Sequence, residues 1–592
     1  MAGGLLNLIA LGNANLFLNG NPCKTFFRTV YSKYTNFGLQ KFRIDYNGSR
    51  DLRLSEPSRF TFKIPRYAEL LLDTYLVVTL PNIWSPIYPP INKQVNNNGA
   101  IVNEKNHNNN KWVPYEFRWI EDLGAQMIQE IEVVCGAFTL ARYSGDYLSA
   151  MVDRDYTETK KMAFREMTGN VPELNNPAMA YGRSNTYPNA FYRKGVTNSD
   201  GVEPSIRGRN LYIPLHTWFM NDTRCALPLI ALQYSEVEIN VTLRPIQDLF
   251  QVRDVFDIDD DGNEYMYPYI RPDFNQDRFQ MYRFLQSPLQ EYIVHATDTN
   301  GNYASDSWRY PTDYPNNYGN PNLDAYASTV NTWNADIHLM STYAFLTKEE
   351  ARKFAQEDQV YLVKEVFTHK YENIYGSKKV KVETNGMISN WMWYFQRNDV
   401  NMRNEWTNYS NWPYKNLPSD IQMSPNILLL HPEKNGKRIN TGLFISGDFN
   451  VENQKRIMES LGIVLDGKYR ENTLPSGVFE YIEKYHRTHG YAREGLYCYQ
   501  FCLDTNPRSY QPSGAMNLGK FKNIELEFVT HIPQIDSRNS NYEVICNADG
   551  EPIAVNKSNW RLYEYTYNLT LFEERYNVLS FIGGSCGLLY AR

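Results

Sequence analysis

The chain has 592 residues, 42% of them hydrophobic and 21% charged, a balance that fits a large folded protein and excludes a disordered one. Lys and Arg total 60 against 66 Asp and Glu, and the net charge of −6 excludes a protein whose main work is gripping nucleic-acid phosphates. No run reaches the roughly 18 uninterrupted apolar residues of a membrane helix, and no basic segment precedes the apolar residues after Met1, so a secretory signal is not expected.

At about 150 residues per domain the length suggests roughly four domains, or two large ones with long loops. Aromatic residues make up 14%, including 45 Tyr, which favours pleated, half-buried surfaces. Asn is roughly a tenth of the chain and gathers in tracts such as 96–98 and 108–110, which read as surface loops.

The first strong strand signal is Phe60-Thr-Phe-Lys-Ile64, strictly alternating and stopped by Pro65. Ile131-Glu-Val-Val-Cys-Gly136, Tyr212-Ile-Pro-Leu215 and the eight-residue alternation from Glu236 to Leu243 follow. Three loop-like insertions break this pattern, at about 81–118, 168–208 and 244–333, and loops of that length tend to be functional surfaces. A strand-like run over 337–346 leads into the clearest helix, Thr347 to Gln356, where Thr347 as N-cap with Glu350 three residues on makes a capping box. Val360 to Phe367 reads as strand again, and the short helix is a plausible hinge between halves of about 346 and 234 residues. In the second half Ile463 to Gly467, Tyr497 to Phe501 and Ile524 to Phe528 repeat the earlier order of elements, which suggests duplicated β-domains. Tyr563 to Leu571 alternates with Tyr563, Tyr565, Tyr567, Leu569 and Leu571 facing inward. Period-two segments throughout, with few helical periods between them, predict antiparallel sandwiches.

Candidate chemistry is sparse. The seven cysteines (23, 135, 225, 498, 502, 546, 586) are odd in number and widely spaced, which fits a reducing compartment. On a strand, Cys498 and Cys502 would lie about 13 Å apart at ~3.3 Å per residue, too far for a disulfide, so buried free thiols are expected. Asp257, Asp259, Asp261 and Gly262 match the opening of an EF-hand loop, but Pro268 stands where its bidentate Glu belongs; a solvated acidic loop is the better reading and calcium the alternative. His486 and His489 lack partners for a zinc set, and Gly583-Gly-Ser-Cys-Gly587 lacks the context of a nucleophile elbow, so its glycines are expected to let a terminal strand pack closely. Sequons at Asn47, Asn221, Asn240, Asn408, Asn556 and Asn568 are expected by chance in so Asn-rich a chain. No catalytic residue, metal or cofactor is expected.

The amino terminus carries a resemblance. Met1-Ala-Gly-Gly-Leu-Leu-Asn-Leu-Ile-Ala-Leu-Gly12, Leu16-Phe-Leu-Asn-Gly-Asn-Pro22, Thr25-Phe-Phe-Arg-Thr-Val-Tyr31 and Tyr34-Thr-Asn-Phe37 resemble the start of the major capsid proteins of large nucleocytoplasmic DNA viruses of algae and amoebae. The resemblance recurs in order at Asn210 to Leu215, Ala226 to Tyr234, Phe345 to Gln356, Gln511-Pro-Ser-Gly514 and Tyr576 to Leu588. Cys23-Lys24 departs from the usual Gln-Ile, and Asn15 from a common acidic residue.

The resemblance implies an all-β protein of two tandem eight-stranded jelly rolls. Residues 1–26 would form an arm, 27–346 the first jelly roll, 347–358 the inter-domain helix and linker, and 359–592 the second jelly roll. It implies a homotrimer of pseudo-hexagonal outline that meets neighbouring capsomers, minor capsid or penton proteins and membrane-associated proteins beneath the shell, with no specific nucleic-acid binding. It also implies residence in the virion shell after assembly in a cytoplasmic virus factory. The arm residues Leu5, Leu6, Leu8, Ile9, Leu11, Leu16, Phe17 and Leu18 are too apolar for a free tail and are expected to brace this assembly. The insertion 244–333 is expected to be mostly an exterior tower, and outer loops are expected to be able to touch host glycans. The competing classes are a lectin-like carbohydrate-binding β-sandwich and a β-sandwich hydrolase.

Overall fold

The computed structural model describes residues 34–590 apart from 86–93, 96–100, 103–115, 184–186, 189, 193–200, 254–256, 259–263, 266–268, 276–278, 288–294, 298–302, 309–327, 416–454, 510, 536–542, 548–550 and 557–561. Sixteen strands build its frame. The first half contributes β1 (Phe37–Asp45), β2 (Ser58–Lys63), β3 (Leu70–Thr79), β4 (Ile128–Cys135), β5 (Phe138–Tyr143), β6 (Asn210–Pro214), β7 (Val237–Leu243) and β8 (His338–Leu346). The second contributes β9 (Gln359–Ile374), β10 (Ser377–Lys381), β11 (Met387–Arg397), β12 (Met458–Leu465), β13 (Lys468–Pro475), β14 (Leu496–Gln500), β15 (Ile524–Thr530) and β16 (Tyr567–Ile582).

The first half forms two antiparallel sheets ordered β1-β8-β3-β6 and β2-β7-β4-β5. The second half repeats this place for place, as β9-β16-β11-β14 and β10-β15-β12-β13. In each half the first strand therefore pairs with the last and the second with the seventh, which is the wrapped hairpin of a jelly roll. The three pairs of similar segments noted in the sequence lie on the fourth, sixth and seventh strands of the two halves, so the echo marks equivalent positions. Short strands extend the frame; β17 (Ser585–Leu588) pairs with β16.

Alternation decides which face packs. In β15, Ile524, Leu526 and Phe528 are buried while Glu525 and Glu527 face outward beside Lys379 and Lys381 of β10. Tyr565, Tyr567, Leu569 and Leu571 are buried as expected, but Tyr563, which lies before β16 in an isolated bridge with Ile535, is only half-buried.

Two further expectations need correction. The insertions do not begin or end where the sequence suggested. Glu116–Trp119, at the end of 81–118, pairs with Phe250–Arg253, inside 244–333. Phe117 stacks on Phe250 at 4.7 Å, and Ile246, Leu249, Val252, Met281 and Phe284 are fully buried, so part of 244–333 belongs to the core rather than to an exterior tower. The pairs Asp257–Ile258 with Glu264–Tyr265 and His295–Thr297 with Tyr303–Trp308 remain outside the barrel sheets. The few helical periods read from the sequence also leave out two longer helices. Helices α1 (Gly145–Asp155) and α2 (Glu158–Thr168) have 11 residues each, against nine in α3 (Lys348–Gln356). Ser144 caps α1 by accepting from Tyr147 N, and Gly145 is required because a Cβ there would lie 1.8 Å from the Ala125 carbonyl oxygen.

Candidate assembly interfaces

A building block for a larger assembly needs a rigid body and surfaces left to be covered. Both trace to named side chains here. Rigidity comes from the seam between the halves. The apolar core of the first barrel continues without a break into Val363, Met392, Tyr394, Leu496, Phe572 and Phe581 of the second half, whose other inward residues form a separate core around Trp391, Trp393 and Phe528.

Helix α1 is the bridge, since nearly all its residues are buried. Its Arg154 donates to both carboxylate oxygens of Asp155 at 2.9 and 2.6 Å, to Glu574 Oε1 on β16 at 2.7 Å and to Asn390 Oδ1 on β11 at 2.7 Å. Glu574 Oε1 also accepts from the Tyr147 hydroxyl at 3.0 Å, and its Oε2 accepts from Asn390 Nδ2 at 2.8 Å. A buried ion pair persists only when its remaining hydrogen-bonding capacity is met, and this network meets it from both halves. Burial opposes ionisation of Glu574, but Arg154 and Lys364 outweigh it and hold the carboxyl down at about 2. Arg493 makes a second clamp from the second half, to Asp153 at 2.5 Å, to Ser149 at 2.7 Å and to Asp122. Gly490 donates to the Arg154 carbonyl at 2.9 Å, and a Cβ at Gly490 would lie 2.6 Å from the Asp153 carbonyl oxygen, so the backbones touch.

Away from α1, Asn404 donates to the carbonyls of Gln247 and Phe250 at 2.8 and 2.9 Å, and Trp406 Nε1 to that of Asp248 at 2.9 Å. Arg118 meets Glu405 at 3.3 Å. A cavity of about 100 Å³ lies in the seam, between His216 and Thr217 on one side and Lys364 and Tyr576 on the other.

The second ingredient is uncovered apolar surface on edge strands. Among the described residues β1 is an edge strand; Phe37 and Leu39 are each 57% exposed there, and Phe345 on its partner β8 is also exposed. β9 is the equivalent edge in the second half and exposes Val360 and Leu362. Unpaired edges with apolar side chains invite pairing unless something covers them.

Thr347 Oγ1 accepts from Glu350 N at 3.4 Å at the start of α3, and the Glu350 carboxylate accepts from the Thr35 hydroxyl at 2.6 Å, beside the start of β1. The arm residues Leu5, Leu6, Leu8, Ile9, Leu11, Leu16, Phe17 and Leu18 lie outside the described residues, as do Asp259 and Asp261, while Asp257 pairs with Tyr265 in a two-residue strand. Among the described residues no group of three or more His, Cys, Asp or Glu is arranged to hold a metal. Cys498 and Cys502 are buried thiols, and burial pushes Cys498 up to about 11. His489 meets Asp504 at 3.0 Å. Gly583 and Gly584, at φ 61° and 83°, form the two-residue turn between β16 and β17, and Gly584 packs so closely on Tyr234 that a Cβ would meet its ring at 2.7 Å.

The sequence reading missed the seam residues. Their one signal is Glu573-Glu574-Arg575 between the apolar segments Leu569–Phe572 and Val578–Phe581 of one long buried strand, where acidic side chains of opposite orientation face two buried surfaces.

Comparison with known proteins gives matching results. Residues 25–261 match the family model for the major capsid protein N-terminus, and residues 350–587 match that for the large eukaryotic DNA virus major capsid protein. The major capsid proteins of Phaeocystis pouchetii virus and Paramecium bursaria Chlorella virus 1 are each 23% identical over the full length of both chains. That of Chrysochromulina ericina virus is 32% identical over 42% of each chain. Among solved structures, PBCV-1 VP54 aligns with a TM-score of 0.55 at 18% identity, over 96% of this chain and 100% of its own. The Faustovirus major capsid protein aligns at 0.53 and 11% identity, over 93% and 92%. These likenesses agree with the two-barrel architecture.

Proposed function

The chain belongs to the major capsid protein family of large eukaryotic DNA viruses, and we propose that three copies close into a pseudo-hexagonal capsomer that tiles the shell. It is a structural protein of an icosahedral capsid. The observation that carries the trimer is the place-for-place repeat of one barrel in the other: three chains bring six similar barrels, the shape a hexagonal lattice needs. Such a contact is heterologous and closes by three-fold rotation. The fixed seam supports it, because a hinged pair of barrels would not hold six-fold spacing.

In this reading the chain divides into the arm 1–26, barrels 27–346 and 359–592, and the linker 347–358, a division supported by the way the strands segregate between sheets. The apolar arm is assigned to the underside of the capsomer. There it braces neighbouring chains and meets minor capsid, penton or membrane-associated proteins. The exterior tower is restricted to the parts of 244–333 outside the core, and the outward loops are the surface available to host glycans. The protein works by assembly, with no catalytic step and no nucleic-acid site, in the virion shell after assembly in the host cytoplasm.

Sedimentation equilibrium tests this. The full chain should sediment as a trimer, and deletion of 1–22 should leave folded chains that fail to form trimers or lattices. A full-length chain that stays monomeric at high concentration contradicts the capsomer; normal particles from the deletion contradict the role of the arm.

A further inference from the structure

Two of the seven cysteines, 451 positions apart in the chain, meet at the seam. Cys135 ends β4 in the first barrel, and Cys586 lies on β17 opposite Phe581 of β16 in the second. Both are buried, at 1% and 6% exposure, and their thiols hydrogen-bond to one another. The backbone around them is fixed from both sides. Tyr234 N donates to the Gly584 carbonyl across the seam at 3.1 Å, and Gly136 N donates to the Glu236 carbonyl at 3.0 Å. The close packing of Gly584 on the Tyr234 ring leaves no room for the β16–β17 turn to slide.

We propose that Cys135 and Cys586 are a redox-responsive modification site, whose oxidation joins the two sulfurs and staples the first barrel to the second. Of the described cysteines, these two bring thiols of different halves into hydrogen-bonding contact. The pair is also asymmetric. The hydrogen bond from Cys586, with Ser235 and Arg66 nearby, outweighs burial and lowers the Cys135 thiol below its ordinary value, while the same bond raises Cys586. Of the two, Cys135 is the more readily ionised thiol and Cys586 the resolving one.

The oxidant is a peroxide, small enough to reach a nearly closed site that lies beside the exposed residues Ile582 and Gly583. The Cys135 thiolate attacks one peroxide oxygen, the O–O bond breaks and water leaves, giving a sulfenic acid. The Cys586 sulfur displaces the sulfenic oxygen as a second water and forms the S–S bond. Two thiols are oxidised and one peroxide is reduced to two waters. The product closes a loop of some 450 residues, the kind of cross-link that most restricts the unfolded chain.

The test uses the full chain, reduced and then exposed to hydrogen peroxide, with Cys546→Ser to remove the described exposed thiol. Remaining thiols are alkylated in denaturant and the protein is digested without reductant. A peptide linking Cys135 to Cys586, lost on treatment with dithiothreitol, is expected. Melting temperature should rise by several degrees on oxidation, return on reduction, and stay unchanged by peroxide in Cys586→Ala. Recovery of both cysteines as alkylated thiols, or of Cys135 as sulfinic acid without a link, overturns the site. A link that leaves the melting temperature unchanged overturns the staple.

Discussion

Arg154 and Glu574 tie the two barrels together at the scale of single residues. Both are almost fully buried and each satisfies the other, so removing one leaves an uncompensated charge. Arg154→Ala should cost about 3–5 kcal/mol in urea unfolding, whereas Arg154→Met combined with Asp155→Asn and Glu574→Leu, which removes all three buried charges, should cost much less. Equal losses would mean that the ion pair does not carry the seam. The same groups set the acid response. Glu574 and Asp399 are both held at about 2: burial works against ionisation, and Arg154 with Lys364, or Arg397 with Arg403, overcomes it. Depressed carboxyls contribute stability that is complete above their ordinary values of 4.5 and 3.8 and is lost as pH falls towards 2. Asp155, raised by burial, offsets part of this. Burial lowers His216 from 6.5 to about 4, so the unfolded chain takes up its proton first and stability begins to fall below pH 6.5. Urea midpoints should therefore decline steadily from pH 6.5 to 3; a flat or rising profile would contradict these assignments.

Elements differ in how openly the sequence announces them. β2, β7 and β15 were legible because one face packs and the other meets water, which writes a period of two into Phe60–Ile64, Glu236–Leu243 and Ile524–Phe528. Helix α3 was legible because it is exposed and capped by Thr347. Helices α1 and α2 were not. α1 is buried almost all round, so it shows no apolar stripe, and its polar residues Ser149, Arg154 and Asp155 serve contacts hundreds of positions away. The strand Glu116–Trp119 was hidden for a related reason, since its partner Phe250–Arg253 lies across four other barrel strands in the chain. The exposed edges β1 and β9 carry a prediction of their own. Replacing Phe37 and Leu39 by Ser and Lys should leave the circular-dichroism spectrum and melting curve near those of the unaltered chain, because neither side chain is buried, yet abolish trimers on a sizing column. Retained trimers would show that the β1 edge is covered by something other than a second copy.

At the scale of the whole molecule, the duplicated order of segments and the ordered motifs pointed to two β-barrels, and each half does assemble the same four-plus-four arrangement. What sequence could not convey is how the barrels are fused. Their common core, the α1 bridge and the Cys135–Cys586 contact all join residues far apart in the chain, and beyond Glu573-Glu574-Arg575 nothing local marks them. In the proposed capsomer, that fusion makes one chain two sixths of a hexagon. Electron cryomicroscopy of assembled particles tests this most directly. The account predicts capsomers in which three chains present six barrels around a three-fold axis, with the two barrels of each chain in the mutual orientation fixed by Arg154 and Glu574. Capsomers with any other number of chains, or barrels turned about the seam from one capsomer to the next, would contradict it.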